Sequence, residues 1–243
     1  MSRDFQFKQF SIRQRLSAMK VGTDGVLLGA WANAPQPTRL LDIGTGTGLI
    51  ALMLAQRFPT AHIHAIELDL EASREAQHNF DASPWSARLE LFHGNVLDWQ
   101  VPIQYDLIVS NPPYFKSSLK PPKVNRTNAR HQERLNLEHL FCLASQWSTA
   151  EGRLNLILPF NGASNINGLA LQMGWHVDQR VLIHPFPEAS QPKRVLLRFQ
   201  KASCVSGESR LDLHESVKVR NSTGHRPYSP QFIELTRAFY LDH

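Results

Sequence analysis

The sequence predicts an α/β protein built on a mostly parallel β-sheet, with helices on both faces. Three observations carry that expectation. Short apolar runs of strand length recur near 39–43, 62–67, 88–93, 105–109 and 153–158. Between them lie stretches of helix length, near 48–57, 70–80 and 136–149. The first run passes directly into Asp42-Ile43-Gly44-Thr45-Gly46-Thr47-Gly48, a glycine loop that leads from a strand into a helix. Strands that alternate with helices pair in parallel through right-handed crossovers.

Taken in order, residues 1–20 alternate aromatic and basic side chains: Phe5, Phe7 and Phe10 with Lys8, Arg13 and Arg15. This reads as either an edge strand or an arm over the body. Lys20 to Gly25 reads as a turn, Val26 to Trp31 as an apolar helix, and Pro35 and Pro37 punctuate before the first strand. After the strand at 105–109, residues 115–135 form a polar loop containing Pro121-Pro122, and loops of this length in compact domains are usually functional or disordered. A helix near 161–173 leads to strands near 175–183 and 193–200. Only about eight residues separate these two strands, too few for a parallel crossover, so they should form an antiparallel hairpin. Residues 201–210 read as a surface loop, with room for a strand near 211–213. Ser229-Pro230 opens a last helix with Phe232, Leu235 and Phe239 on one face. No internal repeat is visible. The expected organisation is one domain over 1–243: an arm and helix (1–38), a core (39–200), and a C-terminal loop and helix (201–243).

Of the 243 residues, 42% are hydrophobic and 19% charged, as in an ordinary globular protein. No apolar run approaches the ~18 residues of a membrane span, and the start lacks the apolar core of a signal peptide. No membrane partner and a cytoplasmic location are the expectation. Cys142 and Cys204 are too few for a disulfide framework or a cysteine zinc site. His62 and His64 alternate on one strand without a third ligand, so no metal is expected. No G-x-S-x-G elbow supports a hydrolase. The net charge of +5 is unevenly spread. Residues 1–20 carry +4 and residues 116–134 carry +5, leaving −4 on the remainder. The second stretch holds Lys116, Lys120, Lys123, Arg126, Arg130 and Arg134 and directly follows Asn111-Pro112-Pro113-Tyr114. Positive charge concentrated there favours a polyanionic partner such as RNA, against the alternative of a solvated face.

In an open parallel sheet, ligands gather at the carboxyl ends of the strands. Asp42, Gly44, Gly46 and Gly48 stand at the first such end, and the G-x-G-x-G spacing differs from the dinucleotide pattern. Asp42 would repel a pyrophosphate but suit a cationic or amino-bearing ligand. Glu67 ends the second strand, where an acid can accept both ribose hydroxyls. Asp98 ends the region of the third strand, where it could face an adenine amino group. Asn111-Pro112-Pro113-Tyr114 follows the fourth strand. The Asn111 side-chain carbonyl and the Pro112 main-chain carbonyl can each accept an N–H from a planar amine. Pro112 and Pro113 pre-set the turn, and Tyr114 offers a face for a base.

Together these motifs resemble the class I S-adenosylmethionine-dependent methyltransferases that methylate amino groups, over roughly residues 20–200. The resemblance implies a Rossmann-like, seven-stranded, mostly parallel sheet of order 3-2-1-4-5-7-6 with the last strand antiparallel. It implies S-adenosylmethionine as cofactor, with Lys20, Thr23 and Asp24 near its methionine end and Asn111 beside it. Residues 19–31, Met-Lys-Val-Gly-Thr-Asp-Gly-Val-Leu-Leu-Gly-Ala-Trp, with the basic loop after Tyr114, look most like the bacterial family that methylates N6 of adenine 37 in a valine tRNA. That likeness implies tRNA as the partner.

Three rivals stand beside this reading. Release-factor glutamine N5-methyltransferases share Asn-Pro-Pro-Tyr but usually carry an N-terminal helical domain, for which the residues before strand one leave no room. Ribosomal-RNA guanine-N2 methyltransferases often carry a duplicated domain that is absent here. A non-enzymatic RNA-binding module with a degenerate cofactor pocket is opposed by the intact Asp42, Glu67 and Asn111.

Overall fold

The computed structural model describes residues 4–101, 103–112, 135–217 and 225–241. Its centre is an eight-stranded sheet. In chain order the strands are β3 (Arg39–Ile43), β4 (His62–Glu67), β5 (Leu89–His93), β6 (Tyr105–Ser110), β7 (Ser148–Pro159), β8 (His176–His184), β9 (Arg194–Gln200) and β10 (Gly207–Asp212). Across the sheet the order is β10-β8-β9-β7-β6-β3-β4-β5. Strands β5, β4, β3, β6 and β7 run parallel. Strand β9 is antiparallel to both β7 and β8, as the short connection required.

The seven strands of the expected order are present, but an eighth is added. β10 pairs parallel to the outside of β8, covering residues read from the sequence as part of a surface loop. Its sequence, Gly-Glu-Ser-Arg-Leu-Asp, lacks apolar alternation because it lies at a sheet edge where only Leu211 is buried. The Arg180–Glu208 pair across it, at 3.5 Å, is exposed on the acidic side and worth little.

The central strands are buried on both sides, which explains their nearly continuous apolar runs. In β6, Leu107 and Val109 join a core with Leu40, Ile63 and helices α1 (Thr23–Trp31) and α2 (Leu49–Arg57). Ile108, one residue out of phase, joins the opposite core with Leu41, Ile43 and helix α4 (Leu137–Trp147). Helix α3 (Leu70–Asp81) contributes Phe80 to the first core, and α5 (Ile166–Gln172) contributes Ile166 and Ala170 to the second. Trp147 and Trp175 are buried in the second core, while Trp85 and Trp99 are partly buried against the two cores.

Helix α1 starts three residues earlier than the composition suggests. Thr23-Asp24-Gly25 looks like a turn, but Gly25 is there for packing, since a Cβ would stand 3.0 Å from Leu49 Cδ2. Gly29, one helical turn later, faces Met53, whose Sδ would lie 2.7 Å from an added Cβ. The two glycines let α1 press against α2. Helix α5 begins later than expected, because Phe160–Ala163 forms a 3-10 turn first. Strand β7 begins earlier, with a register shift between the Tyr105 and Leu107 pairings.

Of the two alternatives for the N-terminal segment, the arm describes it. β1 (Phe5–Gln6) and β2 (Ser11–Ile12) pair antiparallel, separate from the main sheet. Phe7 stacks on Phe10 with centroids 4.6 Å apart and on Tyr240 at 5.7 Å, and Phe10 meets Trp85 edge-on at 5.7 Å. The final helix, α6 (Pro230–Thr236), is capped by Ser229, which accepts from Phe232 N–H at 3.1 Å. It buries Phe232, and Phe239 packs just beyond its end.

Candidate active site

The glycine loop is built on left-handed backbone. Gly44, Gly46 and Gly48 have φ of +72°, +60° and +85°, a region costly for residues with a Cβ. At Gly48 there is also no room, since a Cβ would stand 2.5 Å from the Phe80 ring. Gly48 caps α2, so the loop ends at a helix N-terminus, where free N–H groups gather.

Asp42 lies beneath the loop and is fully buried. Its Oδ2 accepts from Thr45 Oγ1 at 2.6 Å and from Ala51 N–H at 3.2 Å. Its Oδ1 is buried and has no partner among the described residues. Burial pushes the carboxyl up to about 7, against the two hydrogen bonds, with Glu67 adding repulsion. Asp42 therefore braces the loop and retains one acceptor atom that a donor group could satisfy.

Glu67, at the end of β4, closes the loop from the other side. Its Oε2 accepts from Gly46 N–H and its Oε1 from Asp69 N–H, both at 2.8 Å. A carboxylate offers about four acceptor positions, so hydroxyl donors can still be received. Gly94 N–H donates to Glu67 O at 2.9 Å, which ties the end of β5 to the same point. Asn95 follows at once and its Oδ1 caps a 3-10 turn by accepting from Leu97 N–H at 3.1 Å. Asp98 closes that turn and is exposed, so Asn95 is the polar side chain nearer the strand end.

Ser110 and Ile43 are directly opposite in register, and Ser110 Oγ donates to Ile43 O at 2.8 Å. Asn111 therefore leaves β6 beside Gly44, on a strand about 4.8 Å away. Asn111 is half-buried and Pro112 buried. Pro113 and Tyr114 lie outside the described residues, as do Lys116, Lys120, Lys123, Arg126, Arg130 and Arg134.

Lys20, Thr23 and Asp24 lie before and at the start of α1, whose Gly25 packs on Leu49 just after the loop. Lys20 Nζ donates to Gln14 O, and Asp24 accepts from Arg194 Nε on β9 at 2.8 Å. Thr23 opens α1 and is exposed. Two residues that the sequence reading did not single out connect this segment to the loop. Glu75, 2% exposed, accepts main-chain N–H groups from Arg15, Leu16 at 2.8 Å and Ser17 at 2.9 Å. Burial alone would raise its carboxyl, but those three donors and the Lys20 charge hold it below the usual carboxylate range. Asn79, also 2% exposed, bonds Arg13 N–H and Arg13 O, and donates to Thr47 O at 2.8 Å. A signal existed: Glu75 and Asn79 share the inward face of α3 with Ala72, Ala76 and Phe80, where an apolar residue is expected.

At the opposite, amino-terminal edge of the sheet, His64 Nδ1 lies 2.7 Å from the Tyr105 hydroxyl and its Nε2 3.4 Å from Glu90. Among the described residues no group of three or more His, Cys, Asp or Glu could hold a metal ion, and no helix is long and apolar enough to cross a membrane.

Residues 19–135 match the methyltransferase small domain family. A tRNA1(Val) (adenine(37)-N6)-methyltransferase from Vibrio campbellii is 40% identical over 243 residues, covering 99% of this chain and 96% of that protein. The protein of the same name from Porphyromonas gingivalis is 43% identical over 245 residues, covering 97% and 94%. Among solved structures, a predicted O-methyltransferase from Agrobacterium tumefaciens superposes with a TM-score of 0.66 at 21% identity, covering 89% of this chain and 96% of that one. A putative class I S-adenosylmethionine-dependent methyltransferase from Listeria monocytogenes gives 0.56 at 16%, covering 88% and 68%. These two carry the fold, and the two sequence relatives carry more: with such identity sustained along nearly the whole of both partners, the chain belongs to the tRNA1(Val) (adenine(37)-N6)-methyltransferase family.

Proposed function

We propose that this chain transfers a methyl group from S-adenosylmethionine to N6 of adenine 37 in tRNA1(Val), acting in the cytoplasm as one methyltransferase domain. The observation that supports the chemistry is the pairing of Ile43 with Ser110 and the hydrogen bond between them, which leave Gly44 and Asn111 at neighbouring strand ends. On this reading the glycine loop holds the cofactor and the turn at Asn111 holds the amine. The choice of nucleotide rests on the family. The buried Asp42 Oδ1, without a partner among the described residues, the spare acceptor positions of Glu67 and the left-handed glycine loop suit a ligand with amino and hydroxyl donors, as S-adenosylmethionine is.

Bound S-adenosylmethionine supplies an electrophilic methyl on a sulfonium. The chain's part is to hold the acceptor nitrogen. The Asn111 side-chain carbonyl and the Pro112 main-chain carbonyl each accept one N–H of the adenine amino group, which orients its lone pair along the line of transfer. The fixed φ of Pro112 keeps that geometry at little entropic cost. Methylation leaves the nitrogen cationic and acidic, and its surplus proton passes from N6 to water. Glu67 takes the ribose hydroxyls. The cationic residues between Lys116 and Arg134 and those of the arm neutralise phosphates.

Incubation with methyl-labelled S-adenosylmethionine and total tRNA, followed by nucleoside mass spectrometry, tests the proposal. N6-methyladenosine at position 37 of the valine tRNA is the expected product. Label in N2-methylguanosine, or in a release factor instead of RNA, refutes it.

A further inference from the structure

The end of β7 and the turn joining β8 to β9 line an open groove of about 630 Å³, linked to the residues read as cofactor-binding only through Arg194, the partner of Asp24. It opens on the edge of the sheet that carries Asn111. β7 runs parallel to β6 with Leu156 opposite Ser110, and β9 pairs beyond it with Arg194 opposite Pro159. With strands about 4.8 Å apart and about 3.3 Å per residue, Arg194 stands about 10 Å across the sheet and about 7 Å further along it than Asn111, roughly 12 Å away. That is within the span of a nucleotide next to one held at Asn111.

The walls are fixed. Phe160 N–H donates to Lys193 O, and Ala189 N–H to Phe186 O, each at 3.1 Å. Arg210 Nη2 braces Pro187 O at 2.7 Å. The Glu188 carboxylate is occupied by Ser216 Oγ at 2.6 Å and Val217 N–H at 3.3 Å. A preformed groove binds with little ordering cost.

The lining combines two aromatic rings, Phe160 and Phe186, with the exposed side chains of Asn161, Gln191 and Lys193. The Arg226 guanidinium lies 5.8 Å from the centroid of Phe186 and adds positive charge. Arg194 is offset by Asp24 at 2.8 Å. Aromatic surface stacks bases, primary amides read base edges, and an ammonium group neutralises phosphate.

We infer that this groove is a second nucleotide subsite, which takes a single-stranded nucleotide adjacent to the methylated one, with its base on Phe186 and its phosphate at Lys193. The inference rests on the reading of the substrate as RNA. It goes beyond that reading, because it assigns recognition to the β8–β9 turn as well as to the basic stretch after Tyr114.

The test compares wild type, Phe186→Ala, Phe186→Tyr and Lys193→Ala with a valine tRNA anticodon stem-loop, intact and with the bases flanking the target removed one at a time. Loss of one stacked base weakens affinity by about tenfold. Phe186→Ala should raise KM for the intact stem-loop by that factor with kcat and S-adenosylmethionine affinity unchanged, and Phe186→Tyr should restore it. One abasic substrate should cost wild type the same factor and cost Phe186→Ala nothing more. Lys193→Ala should flatten the log–log salt dependence of binding by about 0.7 units, the share of one phosphate on a single strand. Wild-type KM and slope in Phe186→Ala and Lys193→Ala, with wild type active on tRNA, overturn the subsite alone. Transfer to no RNA by wild type overturns the substrate reading, and the subsite with it. If Phe186→Ala fails to fold, the exposed Lys193 variant and the abasic series on wild type decide the question.

Discussion

Asn79 on α3 donates to the main-chain carbonyl of Thr47 at 2.8 Å, so a single side chain sets the seat of the glycine loop. The same side chain accepts from Arg13 N–H at 2.8 Å and donates to Arg13 O at 3.0 Å. It thereby fastens arm, helix and loop at one point. Asn79→Ala leaves three main-chain groups without this partner, the Thr47 carbonyl buried and the two groups of Arg13 part-buried. Each lost bond of this kind costs ~1–3 kcal/mol, with partial relief from water. The expected result is a denaturation midpoint lowered in proportion and a weaker S-adenosylmethionine titration. An unchanged midpoint means the arm is held without Asn79.

Asp42 predicts a pH dependence of stability with a definite sign. Its carboxyl is raised to about 7 in the folded chain from 3.8, so the folded state binds the proton more tightly than the unfolded one. Its contribution is complete below pH 3.8 and is lost as pH rises through about 7. The loss amounts to a few kcal/mol at most, since each tenfold difference in proton affinity between the folded and unfolded chain is worth ~1.4 kcal/mol. Asp42→Asn keeps an acceptor for Thr45 and Ala51 and cannot ionise. Melting curves at pH 5 and pH 8 should show wild type losing more stability than the variant over that interval. Parallel losses in the two proteins refute the assignment.

Glu67 holds the glycine loop, and the proposal gives it the cofactor ribose as well. Glu67→Ala removes the acceptor of Gly46 N–H and those of the proposed hydroxyls. Charged hydrogen bonds of this type are worth ~1.5–3 kcal/mol, so affinity for S-adenosylmethionine should fall roughly tenfold to a hundredfold. Calorimetric titration of the folded variant measures it, and an unaltered Kd rules the role out.

Asn111 should matter to turnover more than to cofactor affinity. Loss of one preorganised polar partner in a transition state typically costs ~2.7–4 kcal/mol, about a hundredfold to a thousandfold in rate. Single-turnover methyl transfer by Asn111→Ala should show that loss while S-adenosylmethionine binding changes little. A wild-type rate would reduce Asn111 to a turn former.

Much of this site was legible because the main chain dictates it. Positive φ at Gly44, Gly46 and Gly48 requires glycine, and parallel burial requires the apolar runs that end at Asp42, Glu67 and Asn111. The parts that escaped are set by tertiary contact. Nothing local in Gly207–Asp212 announces a strand, because its pairing with β8 is made by main-chain atoms at an edge. Thr23-Asp24-Gly25 carries turn composition, yet Leu49 needs the space a side chain would fill. Glu75 and Asn79 are marked only by their place on the apolar face of α3, and their partners in the arm are set by tertiary contact. Asn95 follows Gly94, which bonds Glu67 O, but it carries no charge to mark it as Asp98 is marked.

The contact of Gly29 with Met53 has a mechanical meaning. Without a side chain on Gly29, only Met53 fills the space between the two helix backbones there, and Gly25 admits Leu49 in the same way, so neither helix can shift without pressing on the other. Asp24, tethered to Arg194 at the wall of the groove, directly precedes Gly25, and Leu49 directly follows Gly48 of the glycine loop. Wall, helix pair and loop are thus joined by an unbroken run of contacts, and a displacement of one bears directly on the others.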